Sequence, residues 1–293
     1  MPDAMPDAVD RARDRATSAA ADAVREIGAA ADRVLDELAG LPDGGEVERF
    51  THAGATILAE KHGDPAAPTA FVLVHGIGMG RKVFGDLMRH LDGHGFVVAI
   101  DQPGYGEAPE PPRTPTMERT ADLLAAYVRH LGRRDVVLIG HSMGTQVVTE
   151  MAVRHPDLAG AVVLVGPTID SAARSALAQL GRLGRDLLVE SPKVLLLGAR
   201  EYLRAGPHLR RKMRAMLVHR PEDAYPRVAA PALVIRGAED RVCPHAWCER
   251  VAAAIPGARL HEVPGHGHET LIRDAGPAAA EILAFVGATR PAG

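Results

Sequence analysis

The stretch VVLIGHSMGTQVV, Val136–Val148, begins as an apolar run, passes through two glycines that bracket a serine, and continues in a helical pattern. Glycine has no Cβ and admits backbone angles and close approaches that other residues resist. Gly140 and Gly144 on either side of Ser142 therefore indicate a chain bent sharply where a strand gives way to a helix. Such a turn displays one hydroxyl beside a helix N-terminus.

Outward from this turn, the chain from about residue 50 repeats the same alternation. ATILAE, AFVLVH, FVVAID, VVLIG, AVVLVG, ALVIRG and RLHEV are strand-sized apolar runs, mostly continuous, as in strands buried on both faces. Helical stretches such as TMERTADLLAAYVRHL and TQVVTEMAVRH lie between them. The pattern predicts βαβ units that build a largely parallel sheet, an α/β fold. Strand signals pause between 168 and 229, where an Arg-rich, mainly helical segment is expected to insert over the sheet. Residues 1–45 differ again: after the doubled MPDAMPDA, Val24, Ile27, Ala31, Val34 and Leu38 share one helical face, predicting an amphipathic extension that ends near Gly40. Its apolar stripe suits packing on the body of its own chain or a homodimer contact. The expected division is therefore an extension over 1–45, a core over 46–167 and 230–293, and an insertion over 168–229.

A length of 293 residues suits one core domain with an insertion. A formal net charge of -3, with 46% hydrophobic and 24% charged residues, is ordinary for a globular protein and gives no reason to invoke nucleic acid. No apolar stretch approaches the roughly 20 residues of a membrane span, and the N-terminus carries acids and arginines where a signal peptide needs an apolar core. A cytoplasmic location is expected. Cys243 and Cys248 are too few for a disulfide framework and have no second Cys or His pair at ligand spacing, so both are read as ordinary thiols and no metal is expected.

In open α/β sheets, binding sites gather outside the carboxyl ends of the strands. Read with the strand before it and the helix after it, GHSMG is a G-x-S-x-G nucleophile elbow. A serine hydroxyl is a poor nucleophile at neutral pH and needs a base, usually a histidine oriented by a carboxylate. Downstream, ALVIRGAEDRVCP turns through Gly237 into Asp240, and RLHEVPGHGHETL turns through Gly265 and Gly267 into His268. With HGIGMG after AFVLVH and DQPGYG after FVVAID, five features stand in register, and over residues 50–287 the sequence resembles the α/β-hydrolase fold family.

That resemblance implies a mostly parallel sheet of about eight strands flanked by helices, a helical cap at 168–229, and no cofactor. It makes Ser142 the nucleophile, Asp240 the acid and His268 the general base. The backbone N–H groups of Ile77 and Met143 become the oxyanion donors, with Gly76, Gly140 and Gly144 shaping the two loops. Rivals exist within the sequence. His75 and His141 occupy positions that serve loop packing, and His266 stands behind His268 on motif register. Asp170, after AVVLVG, and Glu239 are alternatives to Asp240, and Asp101 is expected to fix a loop. Serine at the elbow points to acyl chemistry on a small-molecule substrate: a carboxylic ester, lactone or thioester. Carbon–carbon hydrolysis or cofactor-free perhydrolysis on the same triad is an alternative, as is a ligand-binding protein with little turnover.

Within the insertion, HLRRKMRAMLVHR places Leu209, Met213, Met216 and Leu217 on one helical face and Arg210, Arg211, Lys212 and Arg214 around the others. One reading is a lid helix with a solvated basic surface. Another is that Met213 and Met216, with Met79 and Tyr105, line an acyl pocket. The basic surface would then attract an anionic substrate, an acidic carrier protein or a membrane surface. Trp247, the single tryptophan, is read as a packing residue.

Overall fold

Strands of five to eight residues run β1 (Glu46–His52), β2 (Ala55–His62), β3 (Ala70–Val74), β4 (Phe96–Asp101), β5 (Val136–His141), β6 (Ala159–Val165), β7 (Ala232–Gly237) and β8 (Arg259–Val263). The computed structural model describes residues 45–170, 208–272 and 274–289. The amphipathic helix and homodimer contact expected of the N-terminal segment fall outside the described residues, as does most of the expected insertion. The described strands form one sheet in the order β1-β2-β4-β3-β5-β6-β7-β8. β1 and β2 pair antiparallel, as do β2 and β4, and every later pair is parallel.

Successive side chains of a strand point to opposite faces. In the central strands both sets are apolar, so the sheet is buried twice. Val72, Val74, Val98, Ile100, Leu138 and Leu164 pack on one face with α2 (Met117–His130) and α3 (Met143–Arg154). Phe71, Leu73, Val97, Val137, Ile139 and Val163 pack on the other with α1 (Gly85–Leu91) and α6 (Gly276–Thr289). Between α3 and α6 in the chain come α4 (Leu209–Val218) and α5 (His245–Ala254). α2 starts where Thr116 accepts a hydrogen bond from the Arg119 amide at 3.3 Å, the cap expected of a threonine before an amphipathic run.

The seven strands legible in the sequence are all present. β1 is the eighth: its residues are mostly exposed and its sequence, EVERFTH, lacks the continuous apolar run of a buried strand. An edge strand needs only one neighbour, and polar side chains protect its free side.

The order of the sheet places the site. β3 lies between β4 and β5, so the chain leaves β3 toward one edge and β5 toward the other, which opens a crevice at their carboxyl ends. Val74 is level with Gly140 in that pair. The contact is close because two glycines permit it. A Cβ on Gly144 would sit 2.0 Å from the Val74 carbonyl oxygen, and one on Gly140 would sit 2.6 Å from the Gly144 oxygen. Both clashes are with backbone, which cannot swing aside.

Gly144→Ala should therefore destabilise the protein by about 3 kcal/mol or more, because the added methyl must push α3 off β3. Urea denaturation checks this against Gly78→Ala: that glycine has no atom within 4 Å of its Cβ direction, and its cost comes from φ +68 alone.

Candidate active site

Ser142 occupies the N-cap position of α3, but its hydroxyl makes no capping hydrogen bond. Its backbone sits at φ 53 and ψ -119, a left-handed φ that a non-glycine residue rarely adopts. Strain of this kind persists only where surrounding contacts over-determine it. Here the Ser142 amide donates to the Val165 carbonyl at 2.9 Å, and its own carbonyl accepts from the Thr145 hydroxyl at 2.6 Å and the Thr145 amide at 3.0 Å. Gly76, in the loop after β3, faces the serine: a Cβ there would lie 2.9 Å from the Ser142 Cβ.

Asp240 and His268 come from the turns after β7 and β8 and meet through a hydrogen bond of 2.9 Å from His268 Nδ1 to Asp240 Oδ2. The other carboxylate oxygen, Oδ1, accepts from the amides of Val242 and Cys243, each at 2.8 Å. Burial opposes ionisation of Asp240, but the charge and hydrogen bond of His268 together with these amides outweigh it and hold the carboxyl below the usual range. An ionised carboxylate accepts only, so Nδ1 carries the proton and Nε2 is the basic nitrogen. Gly166, at the end of β6, lets the backbone run against the pair: a Cβ there would meet His268 Cε1 at 2.9 Å.

The rival residues have other partners. His141 Nε2 donates to the His268 carbonyl at 2.8 Å, and the two rings lie 5.1 Å apart. Burial, then the nearby charge of His268, pushes the His141 pKa down to about 3, so it stays neutral and braces the loop. His75 is likewise lowered by burial; its Nδ1 donates to the Gly76 carbonyl at 2.7 Å and its Nε2 accepts from the Gln102 amide at 3.2 Å. His266 is bound to the carbonyls of Pro264 and Asp274. Asp170 pairs with Arg250 at 2.9 Å rather than with a histidine. Asp101 accepts from the amides of Arg81 and Glu107 and pairs with the Arg81 guanidinium, which ties the loops after β3 and β4 together.

Met143 is the first residue of α3, where helix geometry leaves the N–H without an intrahelical acceptor. Ile77 follows Gly76 and packs against the same apolar cluster as α3, while Met79 packs against the cluster on the other face of the sheet. Tyr105 is buried, with its hydroxyl 3.6 Å from Met143 Sδ and its ring edge-on to His75. Met216 is buried and Met213 half-buried, both against the α2–α3 side of the core.

Residues 71–281 match the model of the alpha/beta hydrolase family. The chain belongs to that family. The uncharacterized hydrolase YugF of Bacillus subtilis is 28% identical over 253 residues, 76% of this chain and 91% of the relative. The 2-(acetamidomethylene)succinate hydrolase of Mesorhizobium japonicum is 27% identical over 223 residues, 66% of this chain and 79% of the relative. The crystal structure of an E-2-(acetamidomethylene)succinate hydrolase superposes with a TM-score of 0.70 at 23% identity, covering 83% of this chain and 99% of that one, a likeness of fold. Among the described residues of this alpha/beta hydrolase, no helix is long and apolar enough to cross a membrane.

The sequence reading missed the supporting roles of Arg236, Cys243 and Lys212, among others. Arg236, on β7, is buried and donates to the carbonyls of Asp240 at 3.0 Å, Cys243 at 3.1 Å and Ala238 at 3.3 Å, bracing the acid turn. Cys243 is a buried free thiol, as expected, but stands beside the pair, with Sγ 3.9 Å from His268 Nδ1 and donating to the Pro167 carbonyl at 3.2 Å. Asp240, Cys243 and His268 are near enough to share a cation, yet these existing hydrogen bonds already occupy their facing atoms. The third is Lys212. Expected on the solvated face of its helix, it is buried: its ammonium pairs with Glu110 at 2.8 Å, lies 4.3 Å from the Tyr105 ring centre and donates to the Gly104 carbonyl. A periodicity reading misplaces it because a long lysine stem can pass under a helix to reach polar partners.

The lowered pKa of Asp240 has a consequence for stability. Its contribution is complete above the unfolded-state value of roughly 4 and is lost as pH falls through the lower folded value. Asp240→Asn should flatten the acid limb of a plot of urea midpoint against pH below about 4, while leaving its shape near neutrality unchanged.

Proposed function

We propose that this alpha/beta hydrolase is a serine hydrolase that cleaves a carboxylic ester, lactone or thioester through an acyl-enzyme. The observation that carries this reading is the buried 2.9 Å His268–Asp240 hydrogen bond in the turns after β7 and β8, together with a serine held at φ 53 in the turn after β5 of the same sheet. Structural needs alone do not account for it: the serine hydroxyl caps nothing, and the histidine is oriented by a carboxylate that His268 itself and the amides of Val242 and Cys243 keep ionised. Relatives named as hydrolases support the reaction class.

In this mechanism the Ser142 oxygen attacks the substrate carbonyl carbon while its proton passes to Nε2 of His268. Asp240 stabilises the imidazolium and keeps the ring in the tautomer in which Nε2 is unprotonated. The carbonyl electron pair moves onto oxygen, where the N–H groups of Met143 and Ile77 receive the negative charge. The positive end of the α3 dipole adds to this stabilisation. Collapse expels the leaving group, which takes the proton from His268. Water then repeats the sequence on the acyl-enzyme, with His268 as base, and releases the acid and free Ser142. The strain at Ser142 fits this role, because it fixes the oxygen before substrate arrives.

A chain-length series of p-nitrophenyl esters tests the proposal. Ser142→Ala should lower kcat on the best ester by on the order of 10⁴-fold or more, and Asp240→Asn by on the order of 10⁴-fold. Undiminished turnover by Ser142→Ala would overturn the assignment.

A further inference from the structure

A groove of about 870 Å³ opens between the start of α2, the C-terminal half of α3, and α4 with the turns that follow it. Six arginines line it: Arg113, Arg154, Arg211, Arg214, Arg220 and Arg227. Glu118, Glu150, Asp223 and His219 also line it. The acids are satisfied internally. Glu150 accepts from His219 at 2.9 Å, Asp223 pairs with Arg220 at 3.1 Å, and Glu118 is hydrogen-bonded to the Thr116 hydroxyl. Arg154 is held by Asp122, outside the groove, through two hydrogen bonds of 2.8 and 2.9 Å. Arg227 donates from Nε to the Asp223 carbonyl. Arg113, Arg211 and Arg214 make no ion pair or hydrogen bond among the described residues.

The groove thus combines acids that already have hydrogen-bond or ion-pair partners with three uncommitted guanidinium groups from two segments of the chain. Guanidinium groups are planar forks suited to bidentate contact with carboxylate or phosphate oxygens. The volume falls in the range of small-molecule sites, and a concave wall suits a compact ligand better than a flat surface does. Glu118, Glu150 and His219 are near enough to hold a cation, but six surrounding arginines against three acids make a cation the less favoured occupant. Thr114 and Ala215 line both this groove and a narrow gap beside Met143 and Tyr105, so the groove adjoins the residue that follows Ser142.

We infer that this groove is a binding site for a small, multiply charged organic oxyanion, a phosphoester or a polycarboxylate, held chiefly by Arg113, Arg211 and Arg214. The site stands independently of whether Ser142 performs acyl transfer.

Isothermal titration of the full chain at low salt, with inorganic pyrophosphate and separately with citrate, provides the test. At least one probe should bind with a Kd below about 1 mM and weaken steeply as salt is added. Arg211→Gln/Arg214→Gln should weaken that binding at least tenfold, and Arg113→Gln should weaken it too from a different segment. Arg211 and Arg214 are exposed, and unchanged thermal midpoints without ligand would show that the variants remain folded. Tighter pyrophosphate binding identifies the phosphoester source, and tighter citrate binding the polycarboxylate source. Binding unaffected by the substitutions would overturn the inference. So would no binding of either probe at about 10 mM, with or without arginine-dependent binding to anionic vesicles.

Discussion

The contact between Gly144 and the carbonyl of Val74 is the constraint on which the rest of the site depends. It lets the first turn of α3 lie directly against the end of β3, with no side chain between them. Ser142 is then confined between two backbones, with Gly76 on one side and the β6 end on the other, where its amide is held by Val165. A left-handed serine costs on the order of 1–3 kcal/mol in local strain. Packing of α3 against the buried sheet offsets that cost, because the helix cannot retreat without losing its contacts with Val74, Leu138 and their neighbours.

Charge is handled by a second principle: every buried ion near the site has several partners. Asp240 is surrounded by donors, and Arg236 grips the carbonyls of the same turn. Arg81 does similar work for the loops after β3 and β4, contacting Glu60 at 2.8 Å, Glu107 at 2.7 Å and Asp101. Such networks stabilise little in net terms, since desolvation consumes most of the attraction. Their value here is geometric. They hold three loops in fixed positions above a rigid sheet, which preorganised chemistry requires.

How legible this was in the sequence follows the same physics. Continuous apolar runs revealed the strands in the middle of the sheet; of the two edge strands, β8 (RLHEV) was read, whereas β1 (EVERFTH), mostly exposed and without an apolar run, was not. Ser142, Asp240 and His268 could be singled out because each lies in a glycine-marked turn after a strand, and glycine is sterically demanded where backbones approach. Arg236 and Arg81 gave no signal. An arginine that braces carbonyls or carboxylates from other segments has no local pattern, since its partners lie up to 26 residues away in the chain. Lys212 was misplaced for a related reason: helical periodicity tells where a Cβ points, not where an ammonium at the end of four methylenes finds its partners.

The central claim is that the sheet and its two glycine contacts exist to hold one serine as a nucleophile. The most direct measurement is intact-mass analysis of the native protein after exposure to a fluorophosphonate, followed by peptide mapping. The account predicts one adduct per chain, located on Ser142 and lost when the protein is first unfolded, because the geometry rather than the hydroxyl itself confers reactivity. An adduct on another residue, or a folded protein that stays unmodified while an accepted ester is being turned over, would contradict it.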